Sequence, residues 1–459
     1  STLGDIELDF KGGDFFNFGR KIQGIKGVGD FGFADIMITG AVSRGKFASN
    51  SFNGTDGVQG PYRLTGADNE MNILVLSGTE KVYLDGILMN RGQNADYVID
   101  YGIGEITFTN NRPITGYSRI VVDFEYTDRR YSRTLLGGNT NFKFLDNKLT
   151  LGINYVNEFD SKDNTIDFEL SDSDREILST AGNDRNKAVK SGVSYAGLDT
   201  NSGLGLGLYA KRDSMNGNAV LTFYQYAPGT DSSLYNVQFT FVGNGNGSYN
   251  KRSSLEYIFV GQSAGSYDTI VFIPIPTAYQ IAGVNLSYVP FKDKSVSVDI
   301  QSAYSLFDAN LFSESPVVKT DGFAFNGAVN FNQTDVSLFG VKFKSFKVEL
   351  SNRVVNKAFN SLDRLNSVEF LRDYNVTDDT RKTENLMQGN ILFNLNNFVN
   401  LNLNVSQLRR GVAFSSLRNI GELKISGDSI GLPNFIYKLE YINSEDDDNF
   451  INGKWSKNT

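Results

Sequence analysis

The sequence predicts an all-β protein: a long antiparallel amphipathic β meander, barrel-like or a large sheet, with a small inserted β-sandwich and one short loop helix. Three observations carry this. Apolar residues recur at every second position, as in Leu149, Leu151, Ile153, in Val296, Val298, Ile300 and in Leu401, Leu403, Val405, the period of a strand. The composition holds 35 Phe, 22 Tyr and 46 Gly but 8 Pro, which suits strands joined by tight turns. The alternating runs last roughly 8–11 residues, above the usual strand length of about 5–6, and that length suits a barrel or a wide sheet.

Residues 1–65 read as amphipathic strands of the main body, with Ile6, Leu8 and Phe10 on one face. Phe33, Ile36, Ile38 and Val42 follow in a second strand region, then a polar loop from Ser49 to Gly60. Residues 66–132 differ. Val82-Tyr83-Leu84 leads into Asp85-Gly86, a hairpin-turn pair. Tyr97, Ile99 and Tyr101 alternate, Ile106 and Phe108 restart the pattern, and Ile120, Val122, Phe124 and Tyr126 end it on one face. This block reads as a β-sandwich inserted between two stretches, Asp5–Val42 and Phe142 onward, that pair with each other. Residues 133–459 read as the main antiparallel meander, with a helical loop near 171–190. There Ser171 or Ser173 can cap, Asp174 and Glu176 occupy the first turn, and Gly182-Asn183 ends the helix. Turns are expected at Lys292-Asp293-Lys294, Asn332-Gln333 and Asn396-Asn397. Phe241-Val242-Gly243 through Gly247-Ser248-Tyr249 recurs 18 residues later as Phe259-Val260-Gly261 through Gly265-Ser266-Tyr267. We read two successive hairpin units sharing a Gly-rich bend.

Composition removes several chemistries. The net charge of −8 and pI near 4.9 argue against nucleic-acid binding, which needs a basic field; Arg129-Arg130 and Arg409-Arg410 read as strand ends. There is no Cys and no His, hence no disulfide, no thiolate metal site and no Ser-His or Cys-His arrangement. No run of 18 apolar residues is present. No signal peptide stands at Ser1, and the strand-like first residues suggest a chain processed or cut from something longer.

The remaining motifs are weak. Gly27, Gly29 and Gly32 have dinucleotide-loop spacing, but a strand pattern, Phe33 to Thr39, follows where a helix is needed. Asp30-Phe31-Gly32 lacks the other kinase motifs. Gly243, Gly245 and Gly247 are not followed by Gly-Lys-Ser/Thr. Glu445-Asp446-Asp447-Asp448 lacks calcium-loop spacing and reads as a solvated loop. Asp172 and Asp174 belong to the helix start. Trp455 reads as an anchor against a sheet or interface. We therefore assign no catalytic, cofactor or metal residue and expect no enzyme.

The segments Gly78–Gly86, Asp96–Tyr101, Gly104–Phe108 and Ser118–Tyr126 resemble a β module of large cell-envelope proteins of Bacteroidota. The paired Val-Gly…Gly-Ser-Tyr units and Ser305–Phe312, with Asp308-Ala309-Asn310-Leu311-Phe312, resemble the same proteins, so the likeness covers about two thirds of the chain. Within that group the chain is similar to the plug subunit of the type IX secretion translocon. The resemblance implies a non-enzymatic protein at the periplasmic face of the outer membrane, its partner a giant SprA-like barrel whose periplasmic end it closes by steric occlusion. Strand length and alternation fit an integral outer-membrane β-barrel channel or transporter equally well. The C-terminal residues Gly453–Thr459 lack the aromatic end of a usual closing strand. A β-rich surface glycosidase is the third reading. No nucleic acid is expected as partner, and no small-molecule substrate is identified.

Overall fold

A computed structural model describes residues 1–458 except 44, 68–69, 71–72, 128–129, 217–218, 339, 379, 427–432 and 447–450. The chain is all-β. Fourteen strands form one antiparallel sheet in which each pairs with its neighbour in chain order. They are β1 (Thr2–Lys11), β2 (Asn17–Asp30), β3 (Ala34–Ser43), β4 (Tyr131–Phe144), β5 (Leu149–Thr165), β6 (Ala278–Tyr288) and β7 (Val296–Asp308). After these come β8 (Lys319–Leu338), β9 (Val341–Val355), β10 (Glu384–Asn394), β11 (Val399–Arg410), β12 (Phe414–Ile425), β13 (Phe435–Asp446) and β14 (Ile451–Asn458). The sequence interrupts this sheet twice at length. Residues between β3 and β4 form a module, yet β3 and β4 pair directly, Ala34 opposite Phe142 and Ser43 opposite Arg133. Two segments, Phe168–Thr277 and Ala309–Val318, make a separate compact unit.

The sheet is strongly curved. The turn between β1 and β2 sends the Asp14 N–H to Gln301 Oε1 on β7, 2.8 Å away, and Asn326 on β8 donates to the Asp14 carboxylate. From β2 to β8 is six strand steps, ~29 Å in a flat sheet at ~4.8 Å per step. Asp14 to the start of β2 is three residues, ~10 Å when extended. Only a curled sheet brings these residues together. The concave face holds a core of Leu8, Phe10, Phe16, Phe18, Leu135 and Ile281, closed by Phe359 and Leu362 from the β9–β10 connection. Phe10 stacks on Phe18 with centroids 5.1 Å apart.

The module has its own core, with Ile73, Val82, Ile106, Ile120, Val122, Phe124 and Tyr126 all buried. Asp85 (φ 50°) and Gly86 (φ 79°) make its hairpin turn, the left-handed pair such a turn requires. Its boundary corrects the expected 66–132. Lys46–Asn53, assigned in sequence to the main body and a polar loop, pairs along its length with Arg119–Thr127, so the module begins near residue 46. A polar exposed face on Lys46–Asn53 disguised a strand that buries Ala48.

The expected meander over 133–459 is likewise corrected, because the separate unit interrupts it. That unit opens on α1 (Asp172–Ala181). Ser171 Oγ accepts from the Asp174 N–H and Asp174 accepts from the Ser171 N–H, both at 3.1 Å, a capping box. Asn310, fully buried, donates to the carbonyls of Leu178 and Gly182 at 2.8 and 2.7 Å and so satisfies the helix C-terminus. Two four-stranded sheets follow, one of Val193–Tyr195, Tyr235–Val237, Tyr209–Asn216 and Ala219–Tyr226, the other of Thr240–Phe241, Tyr267–Asp268, Tyr249–Lys251 and Tyr257–Phe259. Both run in the order first, fourth, second, third. The Tyr209 hydroxyl accepts from the Tyr257 N–H and the Tyr249 hydroxyl from the Tyr224 N–H, at 3.2 and 2.9 Å. The unit is thus a duplication, broader than the 18-residue repeat seen in sequence. That repeat places Gly247 against Gly265, where a Cβ would stand 2.3–2.4 Å from the opposite Tyr carbonyl; close approach, rather than positive φ, demands glycine there. One expected turn is overturned: Asn332-Gln333 lies inside β8, and the chain reverses near Gly340.

Candidate functional site

Two surfaces of the sheet carry unusual chemistry. On the inner, concave face the alternation presents Asn139, Asn154, Asn285, Gln301 and Asn326, several hydrogen-bonded to the β1–β2 turn or to one another. From β3 to β13 the outer face is apolar and exposed, whereas β1 and the start of β2 turn Asp5, Glu7, Asp9, Lys11 and Lys21 outward. Register aligns Ile153 with Val284, Leu286 with Ile300, Val298 with Val329, Val329 with Leu350, Ile391 with Leu403 and Leu423 with Tyr437. Leu350 is 57% exposed, Phe323 51% and Phe435 52%. Aromatic residues bound this face. Tyr155, Tyr304 and Phe323 fall on one register row, joined through Ala282. Exposed Phe33, Phe144, Tyr288 and Phe331 lie toward the opposite strand ends. Phe323 and Phe331 are eight residues apart, ~27 Å along a strand.

The strand ends also differ. At one end the connections are short: 31–33, 145–148, 289–295 and 395–398. At the other they include 44–130, 166–277 and 356–383.

Segment 356–383 is held inside by a set of arginines. Arg20, 2% exposed, donates to Leu362 O at 2.7 Å and pairs with Asp363. Arg410, also buried, donates to Glu384 at 3.0 Å and to the carbonyls of Asp378 and Thr380 at 2.6 and 2.9 Å. Arg418 pairs with Asp373 at 3.1 Å and Glu440 at 2.6 Å. From the segment, Arg364 reaches the module, gripping both oxygens of Asp123 at 2.7–3.2 Å and lying over the Tyr83 ring. Such forked Arg–carboxylate pairs fix orientation as well as distance. Beside them Glu125 is buried with Oε2 unpartnered. Burial pushes its carboxyl up to about 7, against the pull of Arg20 and with Asp363 and Glu158 adding repulsion.

The motifs singled out in sequence are dispersed. Gly27 and Gly29 lie within β2 and Gly32 in its turn, where the Asp30 carboxylate accepts the Gly32 N–H at 2.8 Å. Gly243 and Gly245 take positive φ in a bend. Asp174 caps α1 and meets Lys190 at 2.8 Å; burial opposes its ionisation, but Lys190 and the Ser171 N–H hold its carboxyl below the usual range. Glu445 and Asp446 end β13, whereas Asp447, Asp448 and Arg129 lie outside the described residues, as does the side chain of Trp455. Among the described residues no cluster of three or more acidic side chains is placed to hold a metal. Sequence reasoning passed over Arg20, Arg364 and Asp123. Arg20 alone carries a sequence signal, a charge set between Phe18 and Ile22 in the strand period; Asp123 and Arg364 carry none.

Residues 47–128 match a family described as a domain of unknown function, DUF8818. No curated protein and no solved structure matches the chain.

Proposed function

We propose that the fourteen-stranded sheet is the wall of a transmembrane β-barrel of an outer membrane, its lumen filled by the β1–β2 turn and segment 356–383, and that the protein serves as a non-catalytic scaffold. One observation carries this: from β3 to β13 the outward face is apolar while the inward face carries amides, and the edge strands β1 and β2 turn charged residues such as Glu7, Asp9 and Lys21 outward. In water the reverse pattern buries apolar area, and contiguous exposed apolar surface of this extent marks contact with lipid or protein. Apolar-out, polar-in alternation between aromatic rows is the pattern of barrel strands in lipid, where the apolar band is ~25 Å tall. In such barrels short turns face the periplasm and long connections the exterior, which assigns the module to the outer side. No helix among the described residues is long and apolar enough to cross a membrane; strands do the crossing.

The type IX plug reading competes for the same face, with a giant barrel in place of lipid as its cover. Heat-modifiable gel migration separates the two. A compact detergent-resistant species in unboiled samples is expected. Migration unchanged by boiling, with recovery from envelopes in complex with a SprA-like barrel, would overturn the membrane reading in favour of the plug.

A further inference from the structure

A cavity of about 290 Å³ lies between the module and segment 356–383. Among the described residues six cations line it, Arg119, Lys357, Arg364, Arg381, Lys382 and Arg410, against a single carboxylate, Glu384. This balance runs against a chain whose net charge is −8. Three of the six are answered: Arg364 by Asp123 at 2.7 Å, Arg410 by Glu384 at 3.0 Å and Lys382 by Asp378 at 3.0 Å. Arg119, Lys357 and Arg381 have no ion pair among the described residues; Arg381 donates only to the amide oxygen of Asn360. Like charges gathered round a half-enclosed space repel one another, and an anion placed among them reverses the sign of that energy. The rest of the wall mixes apolar side chains, Val121, Phe359, Leu365 and Leu371 among them, with neutral polar ones from four serines and the amides of Asn356 and Asn366. A cation-rich space of this size that also carries apolar side chains suits one small molecule with a charged head and a short hydrocarbon body.

We propose that this cavity binds a small organic oxyanion, a phosphate or carboxylate carried on a short apolar body, through Arg119, Lys357 and Arg381. The planar guanidinium fork matches the two oxygens of either head group. The site stands independently of the membrane reading, since both of its walls belong to the same compact unit.

The test is isothermal titration of the whole chain in uncharged detergent with n-hexyl phosphate, hexanoate, inorganic phosphate and hexanol. One saturable site for n-hexyl phosphate or hexanoate is expected, and the tighter of the two names the head group. Binding should weaken as salt is raised, because screening reduces attraction between exposed charges. The combined R119Q/K357Q/R381Q variant should weaken binding at least tenfold at unchanged Tm. Should it fail to fold, the single exposed reversal Lys357→Glu is the second probe, with at least a threefold loss expected. Four outcomes would overturn the proposal: no saturable binding of either anion, hexanol binding as tightly, inorganic phosphate matching n-hexyl phosphate, or affinities indifferent to the charge variants.

Discussion

The strand Arg119–Thr127 of the module and β8 of the large sheet share one sequence rhythm and use it in opposite ways. In the module, Ile120, Val122, Phe124 and Tyr126 fall on one face and are buried to 1% exposure or less. In β8, Phe323, Phe325, Val329 and Phe331 fall on one face and are 37–51% exposed, while Ala324 and Asn326 turn inward. A period of two states that a strand has two unlike faces. It does not state which of them meets the solvent, nor whether that solvent is water. The module hides its apolar face because a second layer of strands lies against it. The large sheet curls round its amide-bearing face, and its apolar face is left outside.

The sharpest way to break this comparison is to damage each apolar face in turn. Phe124→Ala empties the module core and should cost ~3–5 kcal/mol, read as loss of the module's protection from protease in water and in detergent alike. Ile300→Arg on the outer face, opposite Gly327 and so midway between the Phe323 and Phe331 rows, should cost ~2–4 kcal/mol near the middle of a bilayer, read as lost heat-modifiability after refolding into lipid vesicles. On a water-facing sheet the same change would stay within ~0.5 kcal/mol, and that outcome would sink the contrast.

A smaller effect tests the junction between the two regions. The Glu125 carboxyl, raised by burial to about 7, holds its proton in the folded state over a range where the unfolded chain, with a carboxyl near 4.5, has lost it. The Glu125 contribution to stability is therefore greatest below about pH 4.5, falls as pH rises, and levels off above about 7. Thermal melts at pH 5 and pH 8 should show a lower Tm at pH 8 for the native chain. Glu125→Gln should narrow that gap, and an unchanged gap would remove Glu125 from the account. The smallest effect lies outside both regions. Ser171→Ala should cost ~1 kcal/mol by removing the α1 cap, seen as faster amide exchange in that helix alone.

The all-β class was legible because alternation and turn chemistry are local. Asp85-Gly86 specifies its hairpin by backbone conformation, and Ser171 with Asp174 specifies a helix start by two hydrogen bonds. Lys46–Asn53 was passed over because its partner, Arg119–Thr127, lies some seventy residues on, and a strand with a polar exposed face resembles a loop until it is paired. Asn332-Gln333 resembled a turn because amide residues favour turns, yet the same residues serve a strand whose inner face carries amides. The basic cavity was invisible for the same reason as the arginine set. Arg119 and Lys357 are far apart in the chain, and only the packing of segment 356–383 against the module sets them round one space.

By itself the sequence determined the strands, their two unlike faces, the module's hairpin, the α1 cap and the absence of histidine and cysteine chemistry. Only the tertiary structure decided which face is inside, where the module begins, and which charges meet. The physical reason is common to all three. Each depends on the curvature of the sheet and on pairing between residues distant in the chain, and these are set by what packs against a face rather than by its residues alone.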